Sequence, residues 1–273
     1  CFYENLLWFG FKSSMADDAE HVSAPHHIFT SSADQFFSKY TANDHLLKSK
    51  YYIGGISFSR NSNEVIYSQQ DSEVEKTNDK RLDKHQISES YLNTLNLYYG
   101  IFDGSTIAAV QSFPFNSKEY SCMHPNISES GNICYFSSEM PGGFGGFDIY
   151  KIEKANGAWS QPINLGPEVN TLGDEMYPYE YHDSILFFSS NALLGYGGAD
   201  IFKCNVFNGN ISNAVNLGIP VNSSYDDFGI GFITNRNGYF FSNRASKANA
   251  DGLYTFDIPM HLEMNYDTAK GRI

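Results

Sequence analysis

The hydrophobic positions of this chain fall in short runs that are separated by turn residues. In residues 123–175 the runs lie at His124–Ser128, Ile133–Ser137, Asp148–Ile152 and Trp159–Asn164, and Ser-Gly-Asn, a glycine cluster and Lys-Ala-Asn-Gly stand between them. Apolar runs of this length, bounded by such residues, are typical of β-strands rather than of helices. The pattern therefore predicts four short strands in this segment.

The same pattern returns along the chain. Ile133–Ser138 reads ICYFSS, and it recurs as ILFFSS at Ile185–Ser190 and as GYFFSN at Gly238–Asn243. The dipeptide Asp174-Glu175 likewise returns as Asp226-Asp227. A spacing of 52 residues is shared by Asn96, Asp148, Asp200 and Gly252. Several independent features with one period indicate a repeat architecture.

Four-stranded units that repeat at about 40 to 50 residues are typical of a β-propeller. We predict an all-β fold, a β-propeller of four-stranded antiparallel blades, with five blades of which the first is degenerate. The predicted segments are a first blade or closure segment at 1–50, blades at 51–122, 123–175, 176–227 and 228–260, and a tail at 261–273 that resembles the start of a following domain.

A polar, charged insertion at 69–95 stretches the second predicted blade. Its composition favours a solvated loop with a short helix at Ser88–Leu95, and the alternative is a loop that contacts a partner. The copy at 228–260 has no clear last strand.

Composition and charge narrow the classes of function. The chain has 273 residues and a formal net charge of −13 at pH 7, which argues against nucleic acid and anionic membrane surfaces as partners. No apolar segment approaches the roughly 18 residues that span a bilayer. Three cysteines, Cys122, Cys134 and Cys204, lack metal-type spacing and are expected in the core.

The repeats carry a family resemblance. The runs YFSSEMPGGFGGFDIY, INLGPEVNTLGDEMYPY and ILFFSSNALLGYGGADIF resemble the TolB-type, WD40-like propeller repeats of Bacteroidetes cell-envelope proteins, over residues 51–258. In that family the propeller usually accompanies tetratricopeptide, regulatory-like and OmpA-like domains, and members are associated with type IX secretion and gliding. The resemblance implies a periplasmic or outer-membrane-associated protein. Peptidoglycan binding does not carry over, because this chain shows no OmpA-like segment.

The chain begins at Cys1. A lipid-modified amino-terminal cysteine, as in a lipoprotein, is one interpretation of that residue. A processed chain or a fragment of a longer protein is another.

The glycine cluster raises the question of a phosphate-binding loop. Such a loop follows a strand and opens a helix, whereas these glycines precede a strand. We therefore interpret them as tight connections whose backbone needs positive φ or close approach, with the following aspartates as acceptors for loop amides or neighbouring serines. The predicted structural residues are Gly142, Gly143, Gly145, Gly146, Asp148, Gly195, Gly197, Gly198 and Asp200.

The acidic pairs Asp174-Glu175 and Asp226-Asp227 are the candidate binding residues. They precede the presumed innermost strands, which would bring them near one mouth of a central channel. Carboxylates that converge there would suit Ca²⁺ or a basic peptide. The alternative is that they bond backbone amides between neighbouring blades. No other cofactor is predicted.

Two functions of different classes remain. The chain lacks the Gly-x-Ser-x-Gly, His-Glu-x-x-His and Walker motifs, so a non-catalytic interaction or scaffold module of the cell envelope is favoured, with envelope proteins as partners. The alternative is a glycan-binding or glycan-cleaving propeller that uses the same acidic pairs as its carboxylates.

Overall fold

The computed structural model describes residues 2–3, 6–11, 27–32, 41–42, 53–70, 94–207, 209–244 and 251–257. The regular elements of these residues are all β-strands. Cys1, residues 71–93 and the tail at 261–273 lie outside the described residues, so the lipidation site, most of the insertion and the predicted start of a following domain do too.

The strands form five sheets. The first sheet contains β1 (Phe2–Tyr3), β2 (Leu6–Phe11), β3 (His27–Ser32) and β4 (Thr41–Ala42). The second contains β5 (Ile53–Phe58), β6 (Glu64–Gln70), β7 (Leu95–Phe102) and β8 (Ile107–Ser112). The third contains β9 (Cys122–Ile127), β10 (Ile133–Ser138), β11 (Asp148–Ala155), β12 (Ala158–Trp159) and β13 (Ile163–Asn164). The fourth contains β14 (Glu175–Tyr181), β15 (Ile185–Ser190), β16 (Asp200–Phe207), β17 (Asn210–Ile211) and β18 (Val215–Asn216). The fifth contains β19 (Asp227–Phe232), β20 (Asn237–Ser242) and β21 (Gly252–Asp257).

Most strands that follow one another in the chain lie side by side in their sheet, except that β13 pairs with β11 and β18 with β16. In the fourth sheet β15 pairs antiparallel with both β14 and β16, and Ser190 stands opposite Asp200. Every residue of β15 after Ile185 is buried, and β10 has the same pattern. A strand that is covered on both faces reads as a continuous apolar run instead of an alternating one. This explains the repeated ICYFSS and ILFFSS runs.

The prediction of an all-β, propeller-type fold is confirmed. The described residues of the fifth sheet form three strands, and the residues after Asp257, where a last strand would follow, lie outside the described part of the chain. The prediction of one continuous strand at Trp159–Asn164 was wrong, because this stretch forms β12 and β13 with a break between them. At the break Ser160 Oγ accepts a hydrogen bond from the Glu153 N–H at 3.0 Å, so a side chain takes the place of a ladder carbonyl. Pro162, which has no N–H, stands two residues after Ser160, just before β13.

The chain forms two compact units, residues 1–143 with 150–163 and residues 144–149 with 164–273. The first unit has a core around Ile66, Leu97, Phe136 and Ile152, and the second has one around Phe187 and other aromatic and aliphatic side chains. Cys122, Cys134 and Cys204 are buried free thiols, as expected. Of the predicted helix at Ser88–Leu95, residues 88–93 lie outside the described residues, and Leu95 is the first residue of β7 rather than the end of a helix.

Candidate functional site

The predicted site residues of the second unit lie in two kinds of loop. We call residues 144–147 and 196–199, which lead into β11 and β16, the glycine loops. We call residues 171–174 and 223–226, which lead into β14 and β19, the acidic loops. The structure brings each glycine loop against the acidic loop that follows it along the chain.

Close approach accounts for the glycines of these loops. A Cβ added at Gly145 would lie 2.5 Å from the Thr171 carbonyl oxygen, and one added at Gly197 would lie 2.7 Å from the Ser223 carbonyl oxygen. Both distances are shorter than the 3.0 Å that real Cβ atoms keep. A backbone carbonyl cannot swing aside as a flexible side chain can, so these two positions require glycine.

The remaining predicted glycines have other neighbours. An added Cβ would meet Asp174 Oδ1 at Gly146, Asp226 Oδ1 at Gly198 and Asp200 Oδ2 at Gly195. Gly142 has a φ of +94°, in the left-handed region that favours glycine, and Gly143 beside it is exposed.

Asp148 and Asp200 receive backbone N–H groups of the glycine loops. Asp148 Oδ2 accepts a hydrogen bond from the Phe144 N–H at 2.6 Å and another from Asn164 Nδ2 at 2.7 Å. Asp200 Oδ2 accepts from the N–H groups of Tyr196 and Gly197. Both carboxyl groups are buried, and each closes its loop into a tight turn ahead of the strand. Ser137 and Ser189, the serines considered as partners, are buried in β10 and β15.

The first member of each acidic pair connects two loops. Asp174 Oδ1 accepts from the Phe147 N–H at 3.0 Å, and Asp174 Oδ2 accepts from Asn191 Nδ2 at 2.7 Å. The second copy repeats both bonds with Asp226, Ala199 and Asn243. These aspartates therefore hold the glycine loop of one sheet to the acidic loop of the next.

The second member of the first pair is fully buried. Glu175 Oε2 accepts from the Thr171 N–H at 2.7 Å, and Oε1 accepts from the hydroxyls of Thr171 and Ser190 at 2.7 and 2.6 Å. Burial raises the pKa of Glu175 above its ordinary value of 4.5, and the charge of Asp148 acts in the same direction. The three hydrogen bonds oppose this rise by stabilising the charged form.

In the second acidic pair, the buried carboxylate of Asp227 is stabilised by a positively charged side chain. Asp227 Oδ2 accepts from the N–H and hydroxyl of Ser223 at 2.6 and 2.8 Å, and its Oδ1 pairs with the Arg244 guanidinium. Arg244 also donates to Ser242 Oγ at 2.9 Å, where Glu175 in the first copy accepts from the equivalent serine directly. Asp227 is one methylene shorter than Glu175, and Arg244 connects its carboxylate to Ser242.

Two buried asparagines also connect the residues before the acidic loops to strands β11 and β16. Asn170 Oδ1 accepts from the Ile149 N–H at 2.8 Å, and its Nδ2 donates to the Ile149 carbonyl at 3.0 Å. Asn222 makes the same pair of bonds with Ile201. Each asparagine side chain thus bonds to both the N–H and the carbonyl of a strand residue, as the backbone of a neighbouring strand would. Sequence reasoning left both asparagines and Arg244 out of the candidate site, although the repeated Val-Asn-Thr and Val-Asn-Ser were visible as a signal for the asparagines.

The geometry limits what the acidic pairs can do chemically. Glu175 and Asp227 are 0% exposed, and their oxygens are occupied by groups of this chain. Within the described ranges, no three His, Cys, Asp or Glu side chains are grouped so as to hold a metal ion. The described part of the chain also contains no helix with the length and hydropathy of a membrane span.

Comparisons with known proteins concern the fold. No protein-family model and no curated protein matches this chain. Among solved structures it is similar to TolB from Acinetobacter baumannii, with 13% identity and a TM-score of 0.48 over 85% of this chain and 46% of that one. The chain therefore spans less than half the length of that TolB.

Two further structures are of different kinds. A putative TolB from Agrobacterium tumefaciens has 12% identity and a TM-score of 0.47, over 93% of this chain and 71% of that one. An α-L-arabinofuranosidase from Lactobacillus brevis has 9% identity and a TM-score of 0.52, over 85% of this chain and 82% of that one. At these identities the likeness extends to the fold alone.

Proposed function

We propose that this chain is a non-catalytic protein-interaction module of the bacterial cell envelope, built as a propeller of five blades. The five sheets and the resemblance of residues 51–258 to envelope propeller repeats support the blade count and the location. The periplasm or the outer membrane, with a link to type IX secretion or gliding, is the setting that this resemblance favours.

One observation carries the non-catalytic part of the proposal. The carboxylates that a glycosidase would need are Asp174, Glu175, Asp226 and Asp227, and all four hold loops of this chain together. A catalytic carboxylate has to contact substrate, which the burial of Glu175 and Asp227 prevents. Removing either residue should therefore change stability and not a chemical step.

Affinity purification from the native envelope tests this proposal. The tagged full chain is expected to recover a defined set of envelope proteins, which mass spectrometry identifies and which a tag-only control does not recover. In parallel, the purified chain is incubated with arabinan, xylan and peptidoglycan, and released reducing ends are measured. Turnover of any of these glycans, together with recovery of this chain alone, would contradict the proposal and favour the glycan-active alternative.

A further inference from the structure

Five large apolar side chains are exposed on the glycine loops, the acidic loops and the turn that precedes the second glycine loop. Leu172 and Leu194 are 88% and 96% exposed, and Phe144, Tyr196 and Tyr225 are 43%, 54% and 50% exposed. Single scattered apolar side chains are ordinary on a protein surface, whereas several on neighbouring loops can mark a binding surface. These loops therefore differ from a surface that only faces water.

Close contacts at three glycines bring these loops next to one another. Gly145 packs against Leu172, Gly173 packs against Ala192, and Gly197 packs against Tyr225. We call residues 144–146, 171–174, 191–198 and 223–226 the loop rim. The whole loop rim belongs to the second unit, so these contacts lie within that unit.

Hydrogen bonds from backbone N–H groups fix the backbone of the loop rim. Phe144 N–H donates to Asp148, Tyr196 N–H donates to Asp200, and Gly146 N–H donates to the Gly173 carbonyl at 2.8 Å. The exposed side chains therefore stand on an ordered frame, and binding would not have to order these loops first. Such preorganisation lowers the entropic cost of association.

The charge of the loop rim indicates its partner. It contains Asp174 and Asp226 and no lysine or arginine, in a chain with a formal net charge of −13. A second copy of this acidic chain or an anionic lipid surface would be repelled. A segment with apolar side chains and lysine or arginine would be attracted.

We propose that the loop rim is the docking surface for an apolar, positively charged segment of a partner protein. This inference rests on the proposed interaction function and names the surface and the partner chemistry. Aromatic and aliphatic side chains of the segment would pack on Leu172, Leu194 and Tyr225, and its basic side chains would lie beside Asp174 and Asp226. A few residues near the centre of an interface carry most of its binding energy, and tyrosine is often one of them.

A displayed library of random peptides, selected on the purified full chain, tests the inference. The rim variant combines Leu172→Ser, Leu194→Ser and Tyr225→Ser, which are exposed positions whose replacement should not affect folding. The matched control combines Ile163→Ser, Phe207→Ser and Val215→Ser, which are also exposed and apolar but lie outside the loop rim. Circular dichroism and thermal melts verify that both variants fold as the wild type does.

Enriched peptides are expected to combine leucine or aromatic residues with lysine or arginine. In fluorescence anisotropy they should bind the rim variant about tenfold or more weakly than the wild type, and the control variant equally well. Their affinity should fall as NaCl is added, because the charge attraction is screened. Hydrogen exchange should slow within the loop rim when peptide is bound.

Other outcomes overturn the inference in distinguishable ways. Peptides that bind the rim variant as well as the wild type would exclude this surface while leaving an interaction function intact. Enrichment of acidic peptides, or of none, would exclude the stated partner chemistry. Loss of self-association in the rim variant, measured by light scattering, or binding to phosphatidylcholine–phosphatidylglycerol vesicles would assign the surface to another occupant. The proposed function fails by its own separate test, when the envelope purification recovers this chain alone and the purified chain turns over a glycan.

Discussion

Glu175 shows how burial and charge act on a single carboxyl group. It is 0% exposed, it accepts three hydrogen bonds, and no basic side chain of the described residues is paired with it. Burial raises its pKa above the ordinary value of 4.5 because the charged form loses more hydration than the hydrogen bonds replace. A raised pKa in the folded state means that the folded protein holds this proton more tightly than the unfolded chain does.

The first prediction concerns Glu175→Gln. The wild-type carboxyl contributes stability that is fully present below pH 4.5 and is lost as the pH rises through the higher folded pKa. Glutamine carries no charge, and its amide can accept from the Thr171 N–H and donate to the Thr171 hydroxyl oxygen. The free energy of unfolding of the variant, measured by urea denaturation, should therefore rise relative to the wild type between about pH 4 and about pH 7.

Glu168→Gln is the matched control, because Glu168 is exposed in the same unit. Its stability should follow the wild-type pH dependence. A constant difference between Glu175→Gln and the wild type across this pH range would show that Glu175 is not destabilised by its burial.

At the residue scale, the sequence predicted the structural carboxylates but not all of the side chains that bond to them. Asp148 and Asp200 were found because they recur with the repeat period and follow glycines. Arg244 stands at a position whose counterpart, one period earlier, is Ala192, so no repetition marks it. An ion pair between residues 17 positions apart depends on the packing of two loops, which periodicity does not encode.

At the scale of elements, the glycine loop is defined by how closely it lies against the next acidic loop. Gly197→Ala would place a methyl group against the carbonyl oxygens of Ser223 and Tyr225. The second prediction is that this variant loses about 1 to 3 kcal/mol of unfolding free energy, because one of the two loops has to shift. Chemical denaturation measures the loss.

The control for this prediction is Gly55→Ala. Its added Cβ would meet no atom closer than 3.5 Å, which is ordinary van der Waals distance. Its unfolding free energy should stay within about 0.5 kcal/mol of the wild type. Equal stability of the Gly197 variant would show that the loop contact is not as tight as the structure indicates.

The third prediction compares the two ways in which the acidic pairs stabilise a buried carboxylate. Glu175 accepts hydrogen bonds only, and Asp227 also pairs with Arg244. Arg244→Ala leaves the buried Asp227 without its counter-charge and should cost about 3 kcal/mol of unfolding free energy. Adding Asp227→Glu to this variant recreates the Glu175 and Ala192 pair, with a side chain long enough to reach Ser242. The double variant should therefore regain part of the lost stability in urea denaturation.

Arg236→Ala is the control for loss of an arginine. Its ion pair with Asp257 is exposed, so the variant should lose less than about 1 kcal/mol. A double variant that is no more stable than Arg244→Ala would show that the glutamate and arginine solutions are not interchangeable.

The strands were more predictable than their ends. The apolar runs located β10 and β15 because these central strands are covered on both faces and read as continuous apolar sequence. β20 was located by its likeness to them, although its buried residues alternate with partly exposed ones. The stretch Trp159–Asn164 was predicted as one strand because its composition suits one. The interruption comes from Ser160, whose hydroxyl replaces a ladder acceptor, and a serine at a strand position does not reveal this in the sequence.

For the whole molecule, the repeat period predicted the fold class because residues 123–175 and 176–227 carry the same strands and turns in the same order. The proposed docking surface was not predicted, because Leu172, Leu194 and Tyr225 belong to three loops that only the folded second unit brings together. Net charge, by contrast, is read directly from the sequence. It predicts how the whole chain responds to salt.

The fourth prediction follows from the formal net charge of −13 at pH 7. Like charges repel one another most strongly in the compact state, and salt screens this repulsion, so Tm should rise as NaCl increases from about 10 to about 200 mM. Near the isoelectric point of about 4.9 the same addition should have little effect. CaCl2 at matched ionic strength should raise Tm by the same amount if the acidic pairs serve only as junctions, since screening at equal ionic strength is nearly equal. A distinctly larger rise with CaCl2, lost in Asp174→Asn and Asp226→Asn, would instead establish a calcium site at the acidic loops, because only a bound ion adds stability beyond screening.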